Sequence, residues 1–335
     1  MNIKFLKAGN GDCIIIHNNN KNILIDGGND SKYLREEINN IHINGEKIDL
    51  LVITHHDDDH IKGIIDILEE VQNGTYGNKS EFIKQVIFNS PRLFLNKIVP
   101  NEEKLLSYKQ AHRVEELLIS IDQKNWKITT NESDPIIFDD LKLEILSPIS
   151  EDVDKYSNNT GAYLSTDYKS DWCSSMRSLD SHINDDSQDK SLFNKNSVVL
   201  KIECNDKKIL LTGDVTPARL EKIISDLVIN NNGEPVEFDY IKMPHHGSYR
   251  SINKKIIENL KCFNYIISTN SKKYSLPNKR ALLKILKYSN RSNIEKINFI
   301  FNYEEALQNL NITPKELKDY NFTLTKNNFP NGFSI

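Results

Sequence analysis

The chain has 335 residues, 38% hydrophobic and 27% charged, with 43 basic and 47 acidic side chains giving a net charge of −4. That length suits one large domain or two small ones, and the charge balance gives the whole molecule no nucleic-acid signature. No window approaches eighteen consecutive apolar residues, so no transmembrane helix is expected. The opening MNIKFLKAGNGDC lacks the apolar h-region of an export signal, which makes the cytoplasm the expected location. The four cysteines, Cys13, Cys173, Cys204 and Cys262, include no CxxC pair, and reduced, mostly buried thiols are expected.

In chain order, IKFLK, CIIIH and NILID have the composition of strands, divided by GNG and NNNK turns. DSKYLREEINNI has helical spacing behind an Asp cap, and DLLVITH follows as a buried strand. IKGIIDILEEVQ predicts a helix just after a histidine cluster. FIKQVIFN predicts a strand, EEKLLSYKQAHRVEELLISI a long amphipathic helix, and PIIFD and LKLEILSP two more strands. Residues 151–195 are rich in Ser, Asp and Asn and poor in aliphatics. This reads as an insertion or mobile flap, too long for an ordinary connection. Strand rhythm returns in SVVLKIEC and KKILLTGD, then helix TPARLEKIISDLV and strand YIKMP. NKKIIENL, NYIIST, ALLKILKY and INFIF continue the alternation to about residue 301. Both halves share one plan, antiparallel strands first and strand–helix units after. Two mixed sheets with helices on their outer faces, an α/β arrangement, satisfy it.

The chemistry concentrates in three places. Thr54–His60 reads THHDDDH directly after an apolar strand and takes three of the nine histidines. His55, Asp57 and Asp59 alternate as along a strand, and His60 would open the next helix. Imidazole and carboxylate are ligands for Zn²⁺, Mn²⁺ or Fe²⁺, and four such groups within six residues serve two ions with less strain than one. LTGD presents Asp214 at a strand exit, and MPHHGS presents His245 and His246 at another. From His245 to Arg291 there are eleven Lys or Arg against one acid, Glu258, a local excess of +10.

Taken in order, AGNGDCIII, NILIDGG, LVITHHDDDHIKG, NKNSVVLKIE, ILLTGDV, KMPHHGS and IISTN resemble the metallo-β-lactamase superfamily from about residue 7 to 270. The branch most similar includes the hydrolase domain of the DNA-uptake protein ComEC and its stand-alone soluble relatives. The resemblance implies a four-layer αββα sandwich of two mixed β-sheets. That domain would span residues 1–301, with 302–335 as a C-terminal extension packing on it. It implies two divalent ions, Zn²⁺ or Mn²⁺. His55 and Asp57 would hold the first; Asp59, His60 and one of His245 or His246 the second; Asp214 would bridge them. The other imidazole of the pair would support the site or donate a proton. Asp26 would orient the cluster through hydrogen bonds, with Gly27 and Gly28 allowing close backbone approach.

The sequence departs from the pattern twice. Asn196 and Ser197 stand at the third-motif position, as in ComEC-like relatives, where typical members have histidine, leaving the first site short of ligands. Leu276–Pro277 stands where relatives carry His–Pro, so a leaving-group acid must be absent or supplied by His56, His246, Lys273 or Tyr274. A pair of cations can activate water and stabilise charge on an attacked phosphate, with Asp59, His56 and His246 as catalytic candidates. Lys254, Lys255, Lys272, Lys273, Lys279 and Arg280 are candidates for neutralising substrate phosphates. The resemblance therefore implies a metal-dependent phosphodiesterase, a nuclease in first place, acting on nucleic acid or a nucleotide, with no role at a membrane. Hydrolysis of a non-phosphate ester or amide, and a metal-stabilised regulatory or partner-binding module with little turnover, are the alternatives. Soluble relatives also sit in bacterial multi-gene systems including anti-phage defence, which implies a protein partner there, with segment 151–195 as a gate or contact.

Overall fold

The chain builds two sheets by the same recipe. In the computed structural model, which describes residues 1–90, 106–150, 170–184, 187–292 and 294–335, β1 (Asn2–Leu6), β2 (Ile14–Asn18) and β3 (Lys21–Ile25) run antiparallel. Strands β4 (Leu50–Ile53), β5 (Val86–Phe88) and β6 (Trp126–Lys127) then add in parallel. The second sheet repeats this. Strands β7 (Ile136–Phe138), β8 (Leu141–Ser147), β9 (Val199–Cys204) and β10 (Lys207–Leu211) are antiparallel. A short β11 (Val236–Glu237) pairs with β13 (Leu260–Lys261), while β12 (Tyr240–Lys242), β14 (Asn264–Ile267) and β15 (Ile297–Phe301) extend the main sheet in parallel. The last residues reach both sheets, β16 (Phe322–Thr325) beside β15 and β17 (Gly332–Ser334) beside β1.

Alternation along the strands sorts side chains between layers. Ile14, Ile16, Ile23, Ile25, Leu50 and Val52 face Leu200, Ile202, Ile209 and Ile266 of the other sheet. Ile15, Leu24, Leu51 and Ile53 point outward under α1 (Lys32–Ile43), α2 (Asp58–Gln72) and α3 (Leu106–Ser120). On the far side, Tyr265, Ile267, Phe299 and Phe301 pack under a second helical layer. It includes α4 (Met176–Asp180), α6 (Pro217–Asn230), α7 (Lys254–Glu258), α8 (Lys279–Tyr288) and α9 (Glu304–Asn309); α5 (Leu192–Lys195) and α10 (Pro314–Asp319) are the remaining α-helices among the described residues. The four-layer αββα sandwich is thus the observed architecture.

Two expectations change. Helix α2 begins at Asp58 inside the histidine cluster, with Asp57 as its extended N-cap. Asp59 therefore lies on the first helical turn rather than on a strand, where carboxylates favour the helix dipole. Segment 151–195 is only in part open to comparison, since 151–169 and 185–186 lie outside the described residues. Its described part is no loose flap. Met176, Leu179 and Ile183 join the core, the Asp171 carboxylate accepts from Lys279 N and Arg280 N at the start of α8, and Trp172 donates to Pro277 O. Residues 102–105 of the expected long helix also lie outside the described residues.

Candidate metal centre

The site forms where β4, β10 and β12 end. Asp26 follows β3 with a left-handed backbone, φ 55°. Its carboxylate accepts from Thr54 N at 2.8 Å and Thr54 Oγ1 at 2.6 Å, and meets His60 Nδ1 at 2.7 Å. This fully buried carboxylate fixes both the exit of β4 and the ring of His60. Helix α2 is held close by Gly27, whose N–H donates to His60 O, and by Gly63, whose N–H donates to Gly28 O. A Cβ on Gly63 would lie 2.0 Å from Gly27 O.

Around Asp214 the donors converge. His60 Nε2 lies 3.4 Å from Asp214 Oδ1; His246 Nε2 lies 3.3 Å from Asp214 Oδ2 and 3.5 Å from Asp59 Oδ2. Bonds of about 2.0–2.2 Å from one tetrahedral ion place its ligands roughly 3.3–3.6 Å apart, and these separations fit. The far nitrogens are anchored: His60 Nδ1 by Asp26, His246 Nδ1 by Ser268 O at 2.9 Å, and His55 Nδ1 by Thr54 Oγ1 at 3.0 Å. The Nε2 atoms of His55, His60 and His246 are buried without a hydrogen-bond partner. Leaving such an atom unsatisfied costs about 1–3 kcal/mol, and a cation would satisfy them. Residues and group fit.

Asp214 dominates the electrostatics of the cluster. Burial opposes charge on His60 and His246, but Asp214 foremost outweighs it and holds both imidazoles well above their usual range. Burial would raise Asp214, yet His246, His60 and His245 hold it well below. Burial and then His60 push His55 well down. Burial, then the charge of Asp59, raise Asp57, although a third of its side chain reaches solvent and tempers the desolvation.

His55 Nε2 lies 3.7 Å from Asp57 Oδ2, and His245 Nε2 lies 3.7 Å from Asp214 Oδ2. The Ser197 hydroxyl accepts from Asp214 N at 3.2 Å, fixing the TGD turn. Asn196 donates its amide to Leu192 O.

Sequence reading missed Asp12 and Lys242. Lys242 is fully buried, with Nζ 2.5 Å from Asp12 Oδ2, 2.9 Å from Gly213 O and 3.5 Å from Asp214 Oδ1. Ligand atoms of Asp12, His60, Asp214 and His246 all lie within 4.8 Å of one another. Asp12 nevertheless faces the Nδ1 side of His246, at 3.6 Å, and spends its other oxygen on Lys242. We therefore assign Asp59, which faces the open Nε2, to the ligand set ahead of Asp12. Burial would raise the Asp12 carboxyl, but Lys242 and then His246 bring it down to about 2. The signal was present in GNGD, a buried acid between glycines and an apolar strand.

Several candidates fall elsewhere. His56 turns away from Asp214 and sits edge-on to Phe193, ring centroids 4.4 Å apart, in a small cavity with Ile53, Phe88, Asn89 and Asn196. Burial pushes it down to about 4, so at neutral pH it is no imidazolium donor. Lys279 is 1% exposed and donates to Ser174 O and Asn311 O, which removes it from substrate contact. Lys254 pairs with Glu258, and Lys255 with Glu221. Lys261, Lys287, Lys284 and Arg291 are likewise bound to acids or backbone carbonyls. Most of the basic stretch is therefore structural. Lys272 is exposed, Arg280 stacks on Tyr249 at 4.4 Å, and Lys273 lies within reach of the charges of Asp59 and Asp58.

Two facing mixed sheets with a His/Asp cluster at their strand ends match the fold of metallo-β-lactamase-fold proteins. Residues 6–84 match the family model described as "Metallo-beta-lactamase superfamily", a span carrying Asp12, Asp26 and His55–His60. The chain is similar to the metallo-beta-lactamase fold protein YhfI from Bacillus subtilis at 8% identity, covering 100% of this chain and 98% of that one, TM-score 0.46. Zn²⁺-bound PqqB from Methylobacterium extorquens aligns at 9% identity over 100% and 99% of the two chains, TM-score 0.44. Igni18, a metallo hydrolase from Ignicoccus hospitalis, aligns at 12% identity over 84% and 93%, TM-score 0.38. No curated protein matches the sequence. Among the described residues, no helix is long and apolar enough to cross a membrane.

Proposed function

We propose that this protein is a metal-dependent hydrolase of phosphodiesters, a nuclease or nucleotide phosphodiesterase of the ComEC-like branch. The observation that carries the metal reading is the convergence on Asp214 of the buried Nε2 atoms of His60 and His246, which with that of His55 have no hydrogen-bond partner. Asp59, His60, Asp214 and His246 would hold one divalent cation; His55 and Asp57 would share Asp214 with a second. Such a pair supplies water activation at neutral pH and charge stabilisation on both oxygens of an in-line displacement. The chain's own residues keep the donors ready. Asp26, Thr54 and Ser268 O select the tautomers, and Lys242 neutralises Asp12 behind the site. Three carboxylates among the donors favour hard cations, so Mn²⁺ should serve as well as Zn²⁺. Lys273, exposed in the bend before Tyr274, would take a phosphate oxygen.

One observation favours a second reading, a metal-stabilised module with little turnover. Leu276 is 7% exposed and offers no proton where relatives carry histidine. A substrate panel separates the two. Protein loaded with Mn²⁺ or Zn²⁺ is tested on single- and double-stranded DNA, RNA, cyclic dinucleotides, bis(p-nitrophenyl) phosphate and a carboxylic ester. Hydrolysis of a phosphodiester, lost at least ~1000-fold in Asp59→Ala and Asp214→Ala, is expected. Ester cleavage alone would overturn the phosphodiester assignment, and metal binding with no turnover would select the module.

A further inference from the structure

The residues of the HHGS turn do not compete for one role. Consecutive side chains of an extended strand point to opposite faces, so only one of two adjacent histidines could face the site there. Here His245 (φ 47°, ψ 53°) and His246 (φ 54°, ψ 24°) both adopt the left-handed conformation. Two adjacent non-glycine residues in that region carry strain of about 1–3 kcal/mol each, which is kept where a site requires it. The result is that both imidazoles approach the same carboxylate oxygen, His246 Nε2 at 3.3 Å and His245 Nε2 at 3.7 Å from Asp214 Oδ2. They come from different directions, with ring planes 81° apart. His246 Nε2 also lies 3.5 Å from Asp59 Oδ2.

His245 is held for this position from outside the strand system. Its Nδ1 lies 3.1 Å from Asp189 Oδ2. Asp189 is itself fixed: its Oδ2 accepts from Asn194 Nδ2 at 2.6 Å, its Oδ1 from Ser191 N at 2.9 Å, and its N–H donates to Arg250 O. A carboxylate on the far nitrogen of an imidazole sets the tautomer that leaves Nε2 free to ligate. At the third-motif position the Ser197 hydroxyl serves Asp214 N, and Asn196 donates Nδ2 to Leu192 O and lines the small cavity beside His56 and Phe193, its Oδ1 without a hydrogen-bond partner.

We infer that His245 is the third protein ligand of the first cation, replacing the missing third-motif histidine, and that Asp189 is its positioning residue. His246 then belongs to the second cation alone, and Asp189 with the short stretch to Asn194 supports the metal centre. This rests on the two-cation reading above.

The test is metal stoichiometry and affinity, with Mn²⁺ and Zn²⁺ alone as probes, on the full chain. Wild type should bind two cations. His245→Asn tolerates the left-handed backbone and shortens the side chain; it should bind the first cation at least ~10-fold more weakly and keep the second. Asp189→Asn, which preserves shape, should weaken the first site by ~10–100-fold with the fold intact by circular dichroism. Asn196→Ala should leave both sites unchanged. Co²⁺ substitution should show one visible absorption band lost in His245→Asn and retained in Asn196→Ala. Two cations bound with unchanged affinity in His245→Asn, or loss of the first site in Asn196→Ala instead, would overturn the inference while leaving the metal centre standing. A wild-type protein that binds no cation would remove both.

Discussion

Lys242 sits between two carboxylates at the foot of the cluster, fully buried, where burial disfavours its charge but Asp12 and then Asp214 hold it raised. Removing one partner of a buried pair strands the other charge, at about 3–5 kcal/mol. Lys242→Met should therefore lower the denaturant midpoint sharply. The double variant with Asp12→Asn should recover most of the loss, because the stranded Asp12 carboxylate is then gone and Asp214 keeps His60 and His246. Additive losses in that cycle would show that the pair is not a unit. Lys242 was not legible as a site residue. YIKMP is a strand by composition, and only the register against Ile241, which faces the helices, sends Lys242 between the sheets. The ligand candidates were legible because THHDDDH, TGD and HHGS each place donors at a strand exit. Asp189 was not, because its partner lies 56 residues away.

At the scale of elements, the contact that seats the site is the approach of α2 to the turn after β3. Gly63 lies inside that helix, where Ala would ordinarily stabilise by about 1 kcal/mol. Its Cβ would meet Gly27 O at 2.0 Å, and overpacking of this kind costs about 1–3 kcal/mol. Gly63→Ala should thus destabilise, with weaker metal binding because Asp59 and His60 move with the helix; a stabilised variant would contradict the placement of α2. Helix periodicity showed this helix but not its start, since Asp58 and Asp59 look alike on a loop and in a first turn. A second element, α10, is capped by Thr313 and Glu316 in a capping box, and Glu316 also accepts from Met176 N at 2.7 Å. Burial alone would raise Glu316; the Met176 and Thr313 N–H groups outweigh it and bring it below 4.5. A folded value below the unfolded one means that its contribution is complete above about pH 4.5 and is lost as pH falls through the lowered value. Glu316→Gln should cost about 1–2 kcal/mol at pH 7, and urea melts should show that deficit shrinking towards pH 3. A deficit that grows with acid would reverse the assignment.

For the whole molecule, both halves of the chain contribute donors, so cation binding and folding are linked. A ligand at 100 times its Kd stabilises by about 2.7 kcal/mol, and chelation should lower the melting temperature by several degrees in wild type but not in Asp214→Ala. The fold was legible from strand rhythm in each half, because alternation and apolar runs are local properties. The neutralisation of the basic stretch was not, because Glu221, Glu237 and Asp180 reach it only through tertiary packing. The central claim is that Asp59, His60, Asp214 and His246 converge to chelate a divalent ion. Anomalous diffraction from crystals grown with Mn²⁺ or Zn²⁺ tests it most directly. The account predicts an anomalous peak about 2.0–2.2 Å from His60 Nε2, His246 Nε2 and the Asp59 and Asp214 carboxylates; density elsewhere, with no peak among these four, would contradict it.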